Sequence, residues 1–198
     1  MAVVVIVKHI KGADRLAEKQ TSARSDVKIS ENTQKFRRII TGHDAKGEAI
    51  FIDDAICPNR FACGGLPNFV TNEMWIINEI PDNNEGDGSD TATAFSLNPP
   101  KGGNVFRILE LPPDSDLGKQ QDGTPVTPTM HRTPSTDYAY VIEGEVYAVL
   151  DKQEKLMRKG DVLIQRGTNH AWSNRSDKPC IILFVLNGGH ELPGLPPQ

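Results

Sequence analysis

The chain has 198 residues, 37% of them hydrophobic, with 17 glycines and 14 prolines. That length supports one well-cored domain, and so turn-rich a composition suits an all-β fold better than a helix bundle. The net charge is −4 and no dense Lys/Arg run occurs, which argues against nucleic acid or an anionic membrane as a partner.

The three cysteines, Cys57, Cys63 and Cys180, are odd in number and lack metal-site spacing. Cys57 and Cys63 would suit a bridge in an oxidising compartment; the simpler reading is reduced thiols in a cytoplasmic protein. The opening apolar run is too short to span a bilayer and no basic residue precedes it, so a soluble protein is expected.

Residues 1–34 read as a flexible extension, polar after the first valines and without a sustained period. Residues 35–93 read as strands that pack on or extend the main sheet. RRIITGHDAKGEAIFIDD is a hairpin with its turn over His43–Gly47, Ile56–Val70 is irregular, and Met74–Ile80 is a further strand. The acidic loop Asp82–Asp90 lacks the spacing and closing glutamate of a calcium loop.

The barrel proper is expected over residues 94–188. Ala94–Leu97 and Val105–Leu111 come first, then Tyr138–Ile142, Val146–Leu150, Lys155–Arg158, Val162–Gln165, Ala171–Ser173 and Ile181–Leu186. Short strands about ten residues apart, bounded by Gly, Asp and Glu turns, indicate a sandwich or barrel. Residues 189–198 form a Pro-rich tail.

Two segments carry the chemistry: Met130–Gly144 (MHRTPSTDYAYVIEG) and Gly160–Asn174 (GDVLIQRGTNHAWSN). Each offers a histidine at the lip of a strand, His131 and His170, and the first adds Asp137. Two imidazoles and a carboxylate from separate strands are the donors a mononuclear metal site needs. The alternative is a pair of hydrogen-bonded barrel histidines with no metal, and Asp137 bonded to backbone near Ser135.

These segments resemble the conserved barrel of the cupin superfamily. His131 falls on the first histidine of its first motif, Asp137 on the glutamate position with Gly144 closing the spacing, and His170 and Asn174 on the second motif, which Gly160-Asp161 opens. Thr133 stands where the second histidine would be, Asp137 is one methylene shorter than glutamate, and Gln165 stands for the motif proline. TGHDAKG, HRT-x-S-x-DY, GEV and GDV-x-x-QRGTNHAW-x-N also resemble a narrower subgroup, which includes cupin-domain oxidoreductases of fungal polyketide (salicylaldehyde-type) clusters.

The resemblance implies an all-β jelly-roll barrel with additional N-terminal strands. It implies a divalent metal (Fe, Mn, Ni or Zn) held by His131, Asp137 and His170, and an oxidoreductase acting on a small aromatic or polyketide-derived substrate. Tyr140 and Arg132 are the candidate catalytic residues; Thr133, Tyr138, Gln165 and Trp172 are the candidate pocket residues. The aromatics can equally be core; Arg132 and Arg107 could clamp a carboxylate or phenolate, with surface salt bridges the default. A metal-free small-molecule binder or accessory protein, or a cupin decarboxylase, dehydratase or isomerase, fits the same residues. Early strands that need an edge covered suggest a homodimer.

Overall fold

The computed structural model describes residues 23–24, 27–84, 95–119 and 124–194. Among them, twelve strands and one short 3-10 turn make up the regular structure. In chain order the strands are β1 (Ala23–Arg24), β2 (Arg37–His43), β3 (Ala49–Ile56), β4 (Arg60–Cys63), β5 (Val70–Ile77) and β6 (Asn104–Leu111), then β7 (Ser135–Glu143), β8 (Glu145–Leu150), β9 (Glu154–Arg158), β10 (Val162–Arg166), β11 (His170–Ser173) and β12 (Cys180–Gly188). No helix among the described residues is long and apolar enough to cross a membrane.

A seven-stranded sheet runs β1-β4-β5-β6-β12-β7-β10, and a three-stranded sheet runs β11-β8-β9. The two face each other across one core. Val105, Ala139, Val141 and Ile182 come from the larger sheet, and Val146, Ala148 and Met157 from the smaller. Alternation explains the selection: on β7, Ser135, Asp137, Ala139 and Val141 are buried while Tyr138 and Tyr140 are exposed. Each fully buried aliphatic of this kind contributes roughly 1.5–3 kcal/mol. Gly144 carries the chain from one sheet to the other at φ 79°, where a Cβ would meet the Pro179 carbonyl oxygen at 2.8 Å. The barrel closes where the segment before β7 meets β11, at a bridge between His131 and His170.

β2 and β3 form a separate two-stranded sheet with its turn over Asp44–Glu48. β5 pairs with β6 and so extends the main sheet. Within the region read as irregular, Arg60–Cys63 is a strand, since Phe61 and Ala62 find partners on Thr71 and Val70 that local propensity does not reveal. Phe95–Leu97, expected to be a strand, is not one; Ala94 and most of the acidic loop lie outside the described residues. Of the stretch expected to be flexible, Ala23–Arg24 pairs with β4. Thr33 and Gln34 also dock on the sheet: Arg60 donates to Thr33 Oγ1 at 2.8 Å, and the Gln34 amide donates to Glu110 at 2.7 Å.

A second apolar cluster lies on the outer side of the large sheet, where Cys57, Met74, Ile108 and Ile181 pack with Phe36 and Phe106. The three cysteines are buried and none forms a disulfide among the described residues.

Candidate functional site

Between the sheets lies a cavity of about 120 Å³. His131, Thr133, Asp137, His170 and Arg107 supply its polar wall, and Phe69, Phe95, Leu109, Trp172 and Phe184 are among its apolar neighbours.

The two histidines are held by backbone. His131 N–H donates to the His170 carbonyl at 2.8 Å, and His170 N–H donates to the His131 carbonyl at 2.9 Å. Antiparallel partners share a face, so the rings come together with centroids 4.3 Å apart and planes tilted by 49°. Each Nδ1 lies within hydrogen-bond distance of a carbonyl two residues back, Thr129 at 3.1 Å for His131 and Thr168 at 2.9 Å for His170. A carbonyl can only accept, so both Nδ1 atoms carry the proton and both Nε2 atoms keep a free lone pair. Burial pushes both imidazoles towards the neutral form, His170 down to about 4, with the neighbouring His131 adding to its shift.

Gln165 supports this pair from below. Its Nε2 donates to the Thr168 carbonyl at 3.1 Å and to the Thr168 hydroxyl. The carbonyl that fixes the His170 tautomer is therefore itself fixed. Gln165 does not line the cavity; it is a buried support for the turn before His170. Trp172, two residues on along β11, meets His170 edge-on at 6.0 Å and Phe184 at 5.3 Å, which walls the cavity with aromatic surface.

Asp137 reaches the cavity from the large sheet. Thr133 donates to its Oδ2 at 3.3 Å, Ser135 donates to Thr133 at 2.7 Å, and Asp137 Oδ1 is buried with no hydrogen-bond partner among the described residues. Burial raises its pKa, against the hydroxyls of Ser135 and Thr133 and the charge of Arg107. Among the described residues no group of three or more His, Cys, Asp or Glu stands close enough to hold a metal. The structure brings His131 and His170 together and leaves Asp137 on the neighbouring wall. The chain crosses between sheets at Pro134, and the short aspartate side chain stays with the hydroxyls beside it. In kind, the residues suit a divalent cation, since two neutral imidazoles and a carboxylate residue line a single cavity.

Parity decides the remaining candidates. On β7 the alternation that turns Ser135, Asp137 and Ala139 inward turns Tyr138 and Tyr140 away, while Arg132 precedes the strand. Tyr138 is 49% exposed and Tyr140 41%, on the outer face of the sheet, and none of the three lines the cavity. Expected at the site, these three side chains lie outside the cavity's lining.

Arg107 reverses the surface reading. It is 5% exposed and bonded through Nη2 to Glu73 at 3.0 Å, and Glu73 is fully buried. The two are cross-strand partners on β5 and β6. The signal was present in the inward row Val105, Arg107, Leu109, Leu111, where an arginine interrupts an apolar alternation.

Comparison with known proteins is consistent with this architecture. The cupin domain family matches residues 119–186. The chain is 36% identical over 162 residues to phomopsin biosynthesis cluster protein C' of Diaporthe leptostromiformis, covering 78% of each. It is 35% identical to the cupin-domain-containing oxidoreductase virC of Hypocrea virens, covering 69% of this chain and 66% of that one. It is 33% identical to the cupin-domain-containing oxidoreductase fogC of Aspergillus ruber, covering 75% and 70%. With the jelly-roll barrel, the histidine pair at its mouth and relatives of this extent, the chain belongs to the cupin family.

Proposed function

We propose that the protein is a metal-dependent cupin enzyme, an oxidoreductase that tailors a small aromatic or polyketide-derived metabolite inside the barrel. The observation that carries this reading is the His131–His170 pair, with both Nδ1 protons committed to carbonyls and both Nε2 lone pairs left over. His131 and His170 would hold an Fe, Mn, Ni or Zn ion, with Asp137 as third ligand once its carboxyl leaves Thr133 and turns from the neighbouring wall. Such an ion, when bound, supplies Lewis-acid or redox chemistry to a substrate oxygen.

The chain's own residues supply the rest. Trp172, Phe184 and the neighbouring leucines bury an apolar body and exclude water from the reacting end. The neutral imidazoles present lone pairs at neutral pH because burial disfavours their cationic forms. The hydroxyls of Thr133 and Ser135 hold the Asp137 carboxyl at a set angle to the cavity. The names of the cluster relatives support a biosynthetic role.

The test is metal content by plasma mass spectrometry, for the native protein and a His131→Ala/His170→Ala double variant. Near-stoichiometric metal in the native protein, lost in the variant, is the expected result. No metal in either after anaerobic reconstitution overturns the metalloenzyme reading. It would favour the second reading, a metal-free small-molecule binder, to which the lack of a third ligand beside the imidazoles among the described residues already lends weight.

We also propose a homodimer. The β2–β3 hairpin exposes Ile39, Ile50, Phe51 and Ile56, and the outer face of β7 and β10 exposes Tyr138, Tyr140, Val162 and Ile164. A lone two-stranded sheet is marginal in water, and β10 is an open sheet edge. A second copy offers each surface the other one.

A further inference from the structure

Leu117 is 8% exposed, yet it belongs to neither of the two packed apolar clusters. It lines the cavity between the sheets instead. It stands at the end of the 3-10 turn Asp114–Leu117, in the connection between β6 and β7. Hydrogen bonds on Asp114 hold that turn to the end of β11. Ser173 Oγ donates to Asp114 Oδ2 at 2.6 Å, and the Asn174 N–H donates to Asp114 Oδ1 at 2.9 Å. The Asp114 N–H in turn donates to the Asn174 carbonyl at 2.7 Å. β11 also carries His170 and Trp172, which line the same cavity. One strand therefore positions the imidazole and, through Asp114, the turn that ends in Leu117.

Size is the property such a leucine controls. The cavity measures about 120 Å³. An apolar cavity of about 150 Å³ takes up benzene, whereas pockets for drug-sized ligands run from about 300 Å³ upward. The enclosed space suits a single aromatic ring, and an ion on the histidines would leave less. Leu109, Leu111, Phe184 and Trp172 also wall it, but each sits in a strand whose ladder fixes its place. Leu117 lies on a turn outside those ladders, where a side chain can be exchanged without disturbing strand pairing.

We propose that Leu117 is the size determinant of the substrate cavity, admitting a single aromatic ring with small substituents and excluding fused two-ring bodies. The inference rests on the reading above that this cavity is the substrate site, and it narrows the substrate class to monocyclic aromatics.

The experiment measures binding of phenol and 2-naphthol by calorimetry to the protein as purified, to Leu117→Ala and to Leu117→Phe, with folding checked by circular dichroism. Both probes are uncharged at neutral pH and carry the same hydroxyl, so they differ in ring volume. By apolar area alone the larger probe binds tighter. The native protein is expected to reverse that order and to bind phenol about tenfold or more tighter than 2-naphthol. Leu117→Ala should bind 2-naphthol about tenfold or more tighter than the native protein does. Leu117→Phe should weaken phenol binding by about tenfold or more, because the larger side chain occupies the space of the ring.

A folded Leu117→Ala without that gain overturns the proposal. Should this variant not fold, a Leu117→Phe that binds phenol as tightly as the native protein overturns it. If 2-naphthol binds the native protein as tightly as phenol does, the inference fails and the reading of the site stands. If neither probe binds the native protein, the cavity is not a substrate site, and the functional reading falls with the inference.

Discussion

His131 and His170, separated by 38 residues of sequence, exchange a reciprocal pair of backbone hydrogen bonds of 2.8 and 2.9 Å that sets their rings 4.3 Å apart. The pair owes its geometry to the ladder rather than to the side chains. Substitution of either ring should therefore leave the barrel standing while emptying its chemistry.

Gln165 should matter through His170. Replacing it by Leu frees the Thr168 carbonyl and loosens the His170 ring. A stability loss of about 1–2 kcal/mol in urea unfolding is expected. Metal affinity should fall by roughly 10–100-fold, as for other groups that orient a ligand. Unchanged metal affinity would show that Gln165 serves only the turn.

The Glu73–Arg107 pair should be strongly non-additive. Arg107→Ala leaves a buried carboxylate alone and should cost about 3–5 kcal/mol, whereas Glu73→Leu/Arg107→Met should cost much less than the two single variants together. A double-mutant cycle by urea denaturation measures the coupling. Additivity would mean the pair is solvated.

Stability should fall on acidification. Burial first, and the adjacent His131 second, depress His170 from 6.5 to about 4, so between those values the unfolded chain binds the extra proton. Unfolding free energy then rises with pH across this window and is flat above it. His131 shifts the same way, while burial raises Asp137 and Glu110, which opposes the trend. The net loss between about pH 7 and about pH 5 in chelated protein should be on the order of 2 kcal/mol, and His170→Gln should remove most of it. A His170→Gln variant with the native pH slope would refute this assignment.

Asn174 is fully buried and spans three segments. Its Nδ2 donates to the Leu111 and Lys178 carbonyls at 3.1 and 2.8 Å, and its Oδ1 accepts from the Ser176 hydroxyl at 2.7 Å. Asn174→Ala orphans two carbonyls and should cost about 2–3 kcal/mol, read by thermal unfolding.

The outer face gives the oligomer prediction. Tyr138→Lys/Ile164→Lys places like charges on the exposed β7–β10 surface and should convert a dimer to a monomer by light scattering, with the cavity intact. A native protein already monomeric would remove the dimer from consideration.

Local sequence determined the strand rhythm from His131 onward, the turns at Gly144 and Gly160, and the histidines as site residues, because alternation and turn chemistry act over two to four residues. It also contained the parity that excludes Tyr138 and Tyr140, which follows once Asp137 is taken as inward. Only the tertiary structure decided that β4 is a strand, that Glu73 stands opposite Arg107, and that Asp137 bonds Thr133 rather than closing on the imidazoles. Each of those depends on pairing between distant strands and on where the chain changes sheets. Nothing within a few residues of sequence carries that information.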